Sequence, residues 1–104
     1  MDDVNNIVEQ VKLATNIQLN KKILREKILA DLHMTHNGGL FKLDPSLLAF
    51  VSTWPNDELF LEDVYQNPIK INRNEFVVAA QQHYQKVMNR WHDEYQSIKT
   101  IRKI

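Results

Sequence analysis

The chain has 104 residues, a length typical of one domain, and its 13 basic and 13 acidic residues cancel. A net charge of zero favours neither nucleic acid nor an acidic substrate as a partner. The sequence contains no cysteine, which excludes disulfides, thiolate zinc sites and cysteine nucleophiles. No apolar run reaches the roughly 18 residues of a membrane span, and the acidic start, Met1 to Val4, lacks the features of a signal peptide. We therefore expect a single cytoplasmic domain over residues 1–104.

Residues 2–34 are predicted to be helical because their apolar residues recur at steps of three and four. One stripe comprises Val4, Ile7, Val8, Val11 and Ala14, and another comprises Leu24, Ile28 and Leu32 with Ile17, Ile23 and Leu29 beside it. The two stripes are out of phase across residues 15–20. This pattern fits either one bent helix or two helices with Asn20 as a second N-cap.

The segment His36-Asn37-Gly38-Gly39 is expected to end the helical region as a C-cap followed by a tight turn, because adjacent glycines readily adopt positive φ. Residues 40–43 are predicted to form either a short strand or an apolar plug of the core. Asp44-Pro45 is a helix start signal, with Asp as the cap and Pro at the first helical position. The predicted helix Pro45–Trp54 is apolar on most of its circumference, so it should be buried or half of it should face a partner.

Residues Glu58–Ile71 are predicted to form a β-hairpin with Gln66-Asn67-Pro68 as its turn. The apolar residues of the first arm are Leu59, Phe60, Leu61 and Val64, and those of the second arm are Ile69 and Ile71. The acidic neighbours Glu62 and Asp63 are expected side by side on a strand. Their side chains would then point to opposite faces, which is a poor arrangement for general acid–base catalysis.

The last third of the chain, Asn72–Ile104, is predicted to be one long helix. Asn72 is a plausible N-cap, and Glu75 three residues later completes a capping-box pattern. The apolar stripe of this helix comprises Val77, Ala80, Tyr84, Val87, Trp91, Ile98 and Ile101, with Tyr95 beside the one gap. Such a helix spans roughly 45 Å, whereas a compact chain of this length has a radius of gyration of about 13 Å. We expect the helix to overhang its domain or to pair with an equally long helix.

The predicted fold class is therefore α+β and mainly helical, with an N-terminal helical region, a short buried helix, one β-hairpin and a long C-terminal amphipathic helix. The stripe of the last helix has two interpretations, an internal core or an interface with a second copy or another protein. The residues of the interface interpretation are Val77, Tyr84, Val87, Trp91, Tyr95, Ile98 and Ile101. This interpretation predicts a non-enzymatic interaction or assembly module without a cofactor, for which a homodimer is one form.

Two alternative functions follow from charged residues and histidines. The basic end of the last helix is a candidate nucleic-acid surface formed by Lys86, Arg90, Lys99, Arg102 and Lys103. A metal-assisted enzyme is the other alternative, because His33 and His36 would share a face if the first helical region continued to residue 36. His83 and His92 are nine residues apart, which places them on opposite faces of one helix.

Several phrases of the sequence resemble small proteins of T4-type tailed bacteriophages. The phrases are residues 36–41, 47–51, 61–69 and 84–92, together with the segment 98–103. The resemblance implies a phage accessory or virion-assembly protein that works in a bacterial cytoplasm. It implies no enzymatic activity and no particular site residue.

Overall fold

The computed structural model of the chain describes the backbone of residues 2–101 and the side chains of residues 6–99. The elements in chain order are α1 (Asp2–Asp31), β1 (His33–His36), β2 (Gly39–Lys42), α2 (Pro45–Ser52), β3 (Glu58–Glu62), β4 (Pro68–Asn72) and α3 (Arg73–Ile101). The fold class is a mainly helical α+β fold, as predicted. Within the described residues, no helix combines the length and the apolarity needed to cross a bilayer.

The long helices α1 and α3 run antiparallel and form an arm that extends from a small head. Along the arm, Asp31 pairs with Arg90 and Lys27 pairs with Glu94, so the residue number falls on α1 as it rises on α3. The chain measures 69 × 23 × 19 Å and its radius of gyration is 19.9 Å, well above the roughly 13 Å of a compact chain of this size. We call α1 with residues 81–101 the arm, and residues 33–80 the head.

The head contains the larger hydrophobic core. Its buried members are Met34, Phe41, Leu43, Val51, Leu59, Leu61, Ile71, Phe76 and Ala80. The rings of Phe41 and Phe76 meet edge to face with centroids 5.2 Å apart, a favoured aromatic geometry. Because β2, α2, both strands of the second hairpin and the first turns of α3 all contribute, the head anchors the start of α3.

The first hairpin, β1–β2, is a correction to the predicted helical region. The helix ends at Asp31 and not at residue 34, and His33–His36 pairs antiparallel with Gly39–Lys42. Asn37 (φ 49°) and Gly38 (φ 81°) occupy the corner. Asn-Gly is the strongest two-residue hairpin signal because both central residues require positive φ. The predicted tight turn is therefore present with Asn37 and Gly38 at its corner, whereas Gly39 begins β2 and the predicted C-cap is wrong. Of the two predictions for residues 40–43, the short strand is the correct one, since β2 spans Gly39–Lys42.

The second hairpin, β3–β4, and the helix α2 lie where the sequence placed them, with shorter bounds. The two strands pair from Glu58 opposite Asn72 to Glu62 opposite Pro68. Val64 lies in the turn and not on the first arm. Helix α2 ends at Ser52 instead of Trp54, and it is not the buried helix predicted, because Val51 is its one buried residue and Phe50 is 49% exposed.

A capping hydrogen bond is present at each of the two predicted helix starts. The backbone N–H of Leu47 donates to Asp44 Oδ1 at 2.7 Å, with Pro45 at the first helical position. The backbone N–H of Glu75 donates to Asn72 Oδ1 at 3.0 Å. Asn72 is also the last residue of β4, so the chain passes from strand to helix without a loop.

The two alternatives for the N-terminal region are resolved in favour of one helix, because Asn20 lies inside α1. Helix α3 begins at Arg73, and its predicted continuation beyond Ile101 lies outside the described residues.

Candidate interaction surface

The inner face of the arm joins α1 to α3. On α1 the buried residues of this face are Ile17, Leu24 and Ile28, and the buried Leu32 follows directly after the helix end. Leu24, Ile28 and Leu32 form one cluster with Val87 of the α3 stripe, and Trp91 and Ile98 of that stripe pack against the same cluster. The predicted stripe of α3 therefore has a partner inside the chain along the described part of its length.

The residues predicted to form an interface fall into three groups. Val77 packs against the head core, and Tyr84 contacts both the head core and the arm cluster. Val87, Trp91 and Ile98 pack on α1, as described above. Tyr95 is 36% exposed, and the Lys21 ammonium lies 5.5 Å from its ring centroid. The side chain of Ile101 lies outside the described residues. Contact with another protein stays a prediction for these residues.

Two apolar depressions flank the arm where this stripe is incompletely covered. One, of about 270 Å³, lies where the two helices meet residues 42–45 of the head, and Leu29, Tyr84 and Trp91 line its arm side. The other, of about 290 Å³, is an open groove formed by Met88, Trp91, His92 and Tyr95 on α3. Trp91 lines both depressions, so it is the member of the predicted interface that lies next to open apolar surface on two sides.

A second apolar stripe lies on the side of α1 that faces away from α3. We call it the outer face, and it comprises Val8, Val11, Thr15, Leu19 and Ile23. The exposed fractions of its four apolar members are 45%, 60%, 53% and 54% in chain order. These residues are three or four positions apart, which places them on one side of a helix. Every described side chain from residue 6 to residue 16 is exposed, so this stripe is uncovered in the isolated chain.

The sequence pattern contained the outer face but did not separate it from the core. The first predicted stripe contains Val8 and Val11, Ile23 lies beside the stripe that is buried, and Leu19 belongs to neither stripe. A step of four from Val11 through Leu19 to Ile23 was the available signal. Only the position of α3 shows which of the two stripes is internal.

The C-terminal end of α1 is fixed to both the head and α3 by side chains that the sequence patterns did not single out. His33 Nδ1 lies 2.9 Å from the Ala30 carbonyl oxygen, and His83 Nε2 lies 2.7 Å from the Asp31 carbonyl oxygen. A carbonyl oxygen only accepts, so each of these ring nitrogens carries a hydrogen. The Asp31 carboxylate binds Arg90. The last carbonyls of a helix lack partners within it, and here two histidines provide them.

The basic residues predicted for a nucleic-acid surface do not act as one group. Arg90 is engaged by Asp31 at the joint, whereas Lys86 and Lys99 are exposed. Arg102 and Lys103 lie outside the described residues. Glu94, on the same helix, adds a carboxylate close to Lys27. Acidic and basic side chains are therefore mixed along this part of α3, and nothing in their described arrangement favours phosphate binding.

The histidines predicted for a metal site are separated by the strand. His33 and His36 are three residues apart on β1, and an odd separation on a strand directs side chains to opposite faces. His33 binds the end of α1, while the ring of His36 lies edge-on to Phe76 at 5.3 Å. Among the described residues, no group of three His, Asp or Glu side chains is arranged to hold a metal ion.

Asp63 is the one charged residue buried among the described residues, and its carboxylate joins the β3–β4 turn to strand β2. Its Oδ1 accepts the backbone N–H groups of Asn67 (2.8 Å) and Tyr65 (3.0 Å), and its Oδ2 accepts that of Leu40 (3.4 Å). The hydrogen bond from Asn67 is the main cause of a lowered Asp63 pKa, which burial opposes and the bonds from Leu40 and Tyr65 reinforce. Asp63 lies just past the end of β3, so the predicted strand position beside Glu62 is wrong.

Comparisons of the chain with protein-family models, with curated proteins and with solved structures gave no match. The function is therefore inferred from the geometry of the arm.

Proposed function

We propose that this chain is a non-enzymatic protein–protein interaction module, and that its arm is the binding element. The observation that carries the proposal is the outer face of α1, where Val8, Val11, Leu19 and Ile23 are each about half exposed along one side of a helix. Single exposed apolar side chains are ordinary, but an aligned set marks an interaction surface. In water such a surface is stabilised when another apolar surface covers it.

The division of the chain into head and arm supports the same function. The head contains the buried aromatic core and fixes the start of α3, while His83 and Arg90 fix the end of α1. From Ile17 onward, α1 has buried residues on one side and the exposed outer face on the other, whereas its described side chains before Ile17 are all exposed. An amphipathic helix with one open apolar side binds partners through residues spaced three and four apart.

This proposal moves the interface from the predicted position on α3 to the neighbouring helix. The stripe of α3 supports α1 from the inside, through Val87, Trp91 and Ile98. Tyr95 and the groove beside it remain available as a secondary contact. The setting we propose is the one that the sequence resemblance implies, a phage accessory or assembly protein in a bacterial cytoplasm.

Photo-crosslinking tests this function. A photoreactive amino acid replaces Leu19 on the outer face, and in a matched control it replaces Ser46, an exposed residue of α2. After irradiation of cells that produce the protein, we expect a protein adduct from position 19 and a much weaker one from position 46. Absence of any protein adduct from position 19, or equal adducts from both positions, would overturn the proposal.

A further inference from the structure

We infer that the partner of the outer face is a second copy of this chain, with the two α1 helices packed antiparallel. The inference rests on the proposed function, because it names the partner of the same surface. It is supported by two features of α1 that concern different properties, the charge distribution along the helix and the symmetry of the apolar stripe.

The first feature is charge. The first half of α1, residues 2–16, contains three acids and one base, whereas the second half, residues 17–31, contains four bases and two acids. The net charges of the halves are therefore −2 and +2. In a parallel pair each half would lie beside its like, but in an antiparallel pair the acidic half of one copy lies beside the basic half of the other. Complementary charge sets the orientation of such a pair more than its affinity.

The second feature is the symmetry of the outer face about Thr15. Val11 lies four residues before Thr15 and Leu19 lies four residues after it. Val8 and Ile23 lie seven residues before and eight residues after. When two copies pack antiparallel with Thr15 on the twofold axis, Val11 meets the partner's Leu19 and Val8 meets the partner's Ile23. The same patch then serves both copies, as a twofold interface requires.

The groups at the centre of this surface are compatible with burial. The Thr15 hydroxyl donates to the Val11 carbonyl oxygen at 2.9 Å, so its hydrogen is already satisfied within the helix. Glu9 follows Val8 directly and Lys22 directly precedes Ile23. Within the part of the chain that the structure describes, neither of them forms an ion pair. These charges are free to face the oppositely charged half of the partner.

Sedimentation velocity on the full chain is the first test. At tens of micromolar we expect twice the chain mass of 12.3 kDa. Leu19→Glu places a charge in the centre of the apolar contact, so we expect this variant to sediment as a monomer. The matched control is Val78→Glu, because Val78 is equally exposed (54%) but lies on α3 in the head, and this variant should remain a dimer. Circular dichroism on each variant verifies that the helices persist.

Cysteine trapping tests the antiparallel orientation, since the natural chain has no cysteine. We expect Thr15→Cys to form an intermolecular disulfide with itself, and an equal mixture of Val8→Cys and Ile23→Cys to form the mixed disulfide. Val8→Cys alone should not form one, whereas a parallel pair would form it readily. A monomeric wild-type chain, equal effects of Leu19→Glu and Val78→Glu, or self-trapping of Val8→Cys would each overturn the inference.

The two proposals fail in distinguishable ways. A wild-type chain that is monomeric but gives an adduct with a different protein from position 19 leaves the interaction function in place and removes the second copy. Absence of any adduct removes both.

Discussion

At the scale of single residues, Asp63 shows how a buried charge serves structure in this chain. Its carboxylate binds three backbone N–H groups, from both arms of its own turn and from β2. The Val64 N–H adds a bond to the Leu40 carbonyl oxygen at 2.8 Å, and Asn37 Nδ2 donates to the Lys70 carbonyl oxygen at 3.1 Å. The two hairpins are therefore attached to each other through polar contacts as well as through the core.

The pKa of Asp63 makes the stability of the fold depend on acidity. Because that pKa is lowered from 3.8, the unfolded chain takes up a proton before the folded chain does as the pH falls. The stabilising effect is therefore complete above 3.8 and is lost as the pH falls through the folded pKa. We expect Asp63→Asn to lower the melting temperature at neutral pH and to weaken the acid dependence of stability below 3.8. Thermal unfolding between pH 7 and pH 2 measures both effects.

The comparison variant for this experiment is Glu62→Gln. It removes the neighbouring exposed carboxylate without removing the hydrogen bonds at Asp63. Equal acid dependence in the wild type and in Asp63→Asn would contradict the assigned role.

His83 is a second residue with a testable structural role. His83→Ala leaves the Asp31 carbonyl oxygen without its donor from α3, which should lower the free energy of unfolding by about 1 to 2 kcal/mol. His92→Ala, at an exposed position nine residues later, should change it by no more than about 0.5 kcal/mol. Urea denaturation measures the free energy of unfolding of both variants. Equal effects would show that the hydrogen bond from His83 to Asp31 does not stabilise the fold.

At the scale of elements, short-range sequence signals gave correct predictions. Asp44-Pro45 starts α2, Asn72 starts α3 and Gln66-Asn67-Pro68 turns the second hairpin, because caps and turns depend on a few adjacent residues. The first hairpin was missed because Leu32 and Leu29 continue the helical spacing almost to β1. Leu32 is buried in the arm cluster immediately after the helix ends, so its periodicity gave no sign of the boundary.

The sequence shows two apolar faces on α1 but does not show which of them is buried. Both contain apolar residues at helical spacing, and only contact with α3 decides which of them is buried. We expect Ile28→Ala to lower the free energy of unfolding by about 2 to 5 kcal/mol, because Ile28 is only 1% exposed. In dilute solution Ile23→Ala should change it by no more than about 0.5 kcal/mol, since Ile23 is 54% exposed. Chemical denaturation of both variants measures the difference, and the reverse order would mean that α1 presents the other face to α3.

At the scale of the whole molecule, the sequence predicts the length of α3 and leaves two alternatives for its stripe, pairing within the chain or an interface with another protein. The sequence indicated a helix too long for its globule, and α3 does extend well beyond the head. Because the two stripes of residues 2–34 are out of phase, the sequence argues against a partner helix as long as α3. Helix α1 is nevertheless that partner. Its second predicted stripe, Leu24, Ile28 and Leu32, packs on α3. Val8 and Val11 of its first stripe belong to the outer face. The position of the candidate site therefore depended on tertiary packing, which local patterns do not contain.

Small-angle X-ray scattering over a concentration series tests the central claim most directly, because it reports mass and shape together. Helix α1 accounts for about 45 Å of the 69 Å long axis. A dimer with fully overlapping α1 helices and heads at opposite ends is therefore roughly 90 Å long. We predict this maximum dimension with twice the mass of 12.3 kDa. A mass of 12.3 kDa with a maximum dimension near 69 Å at every concentration would contradict the account.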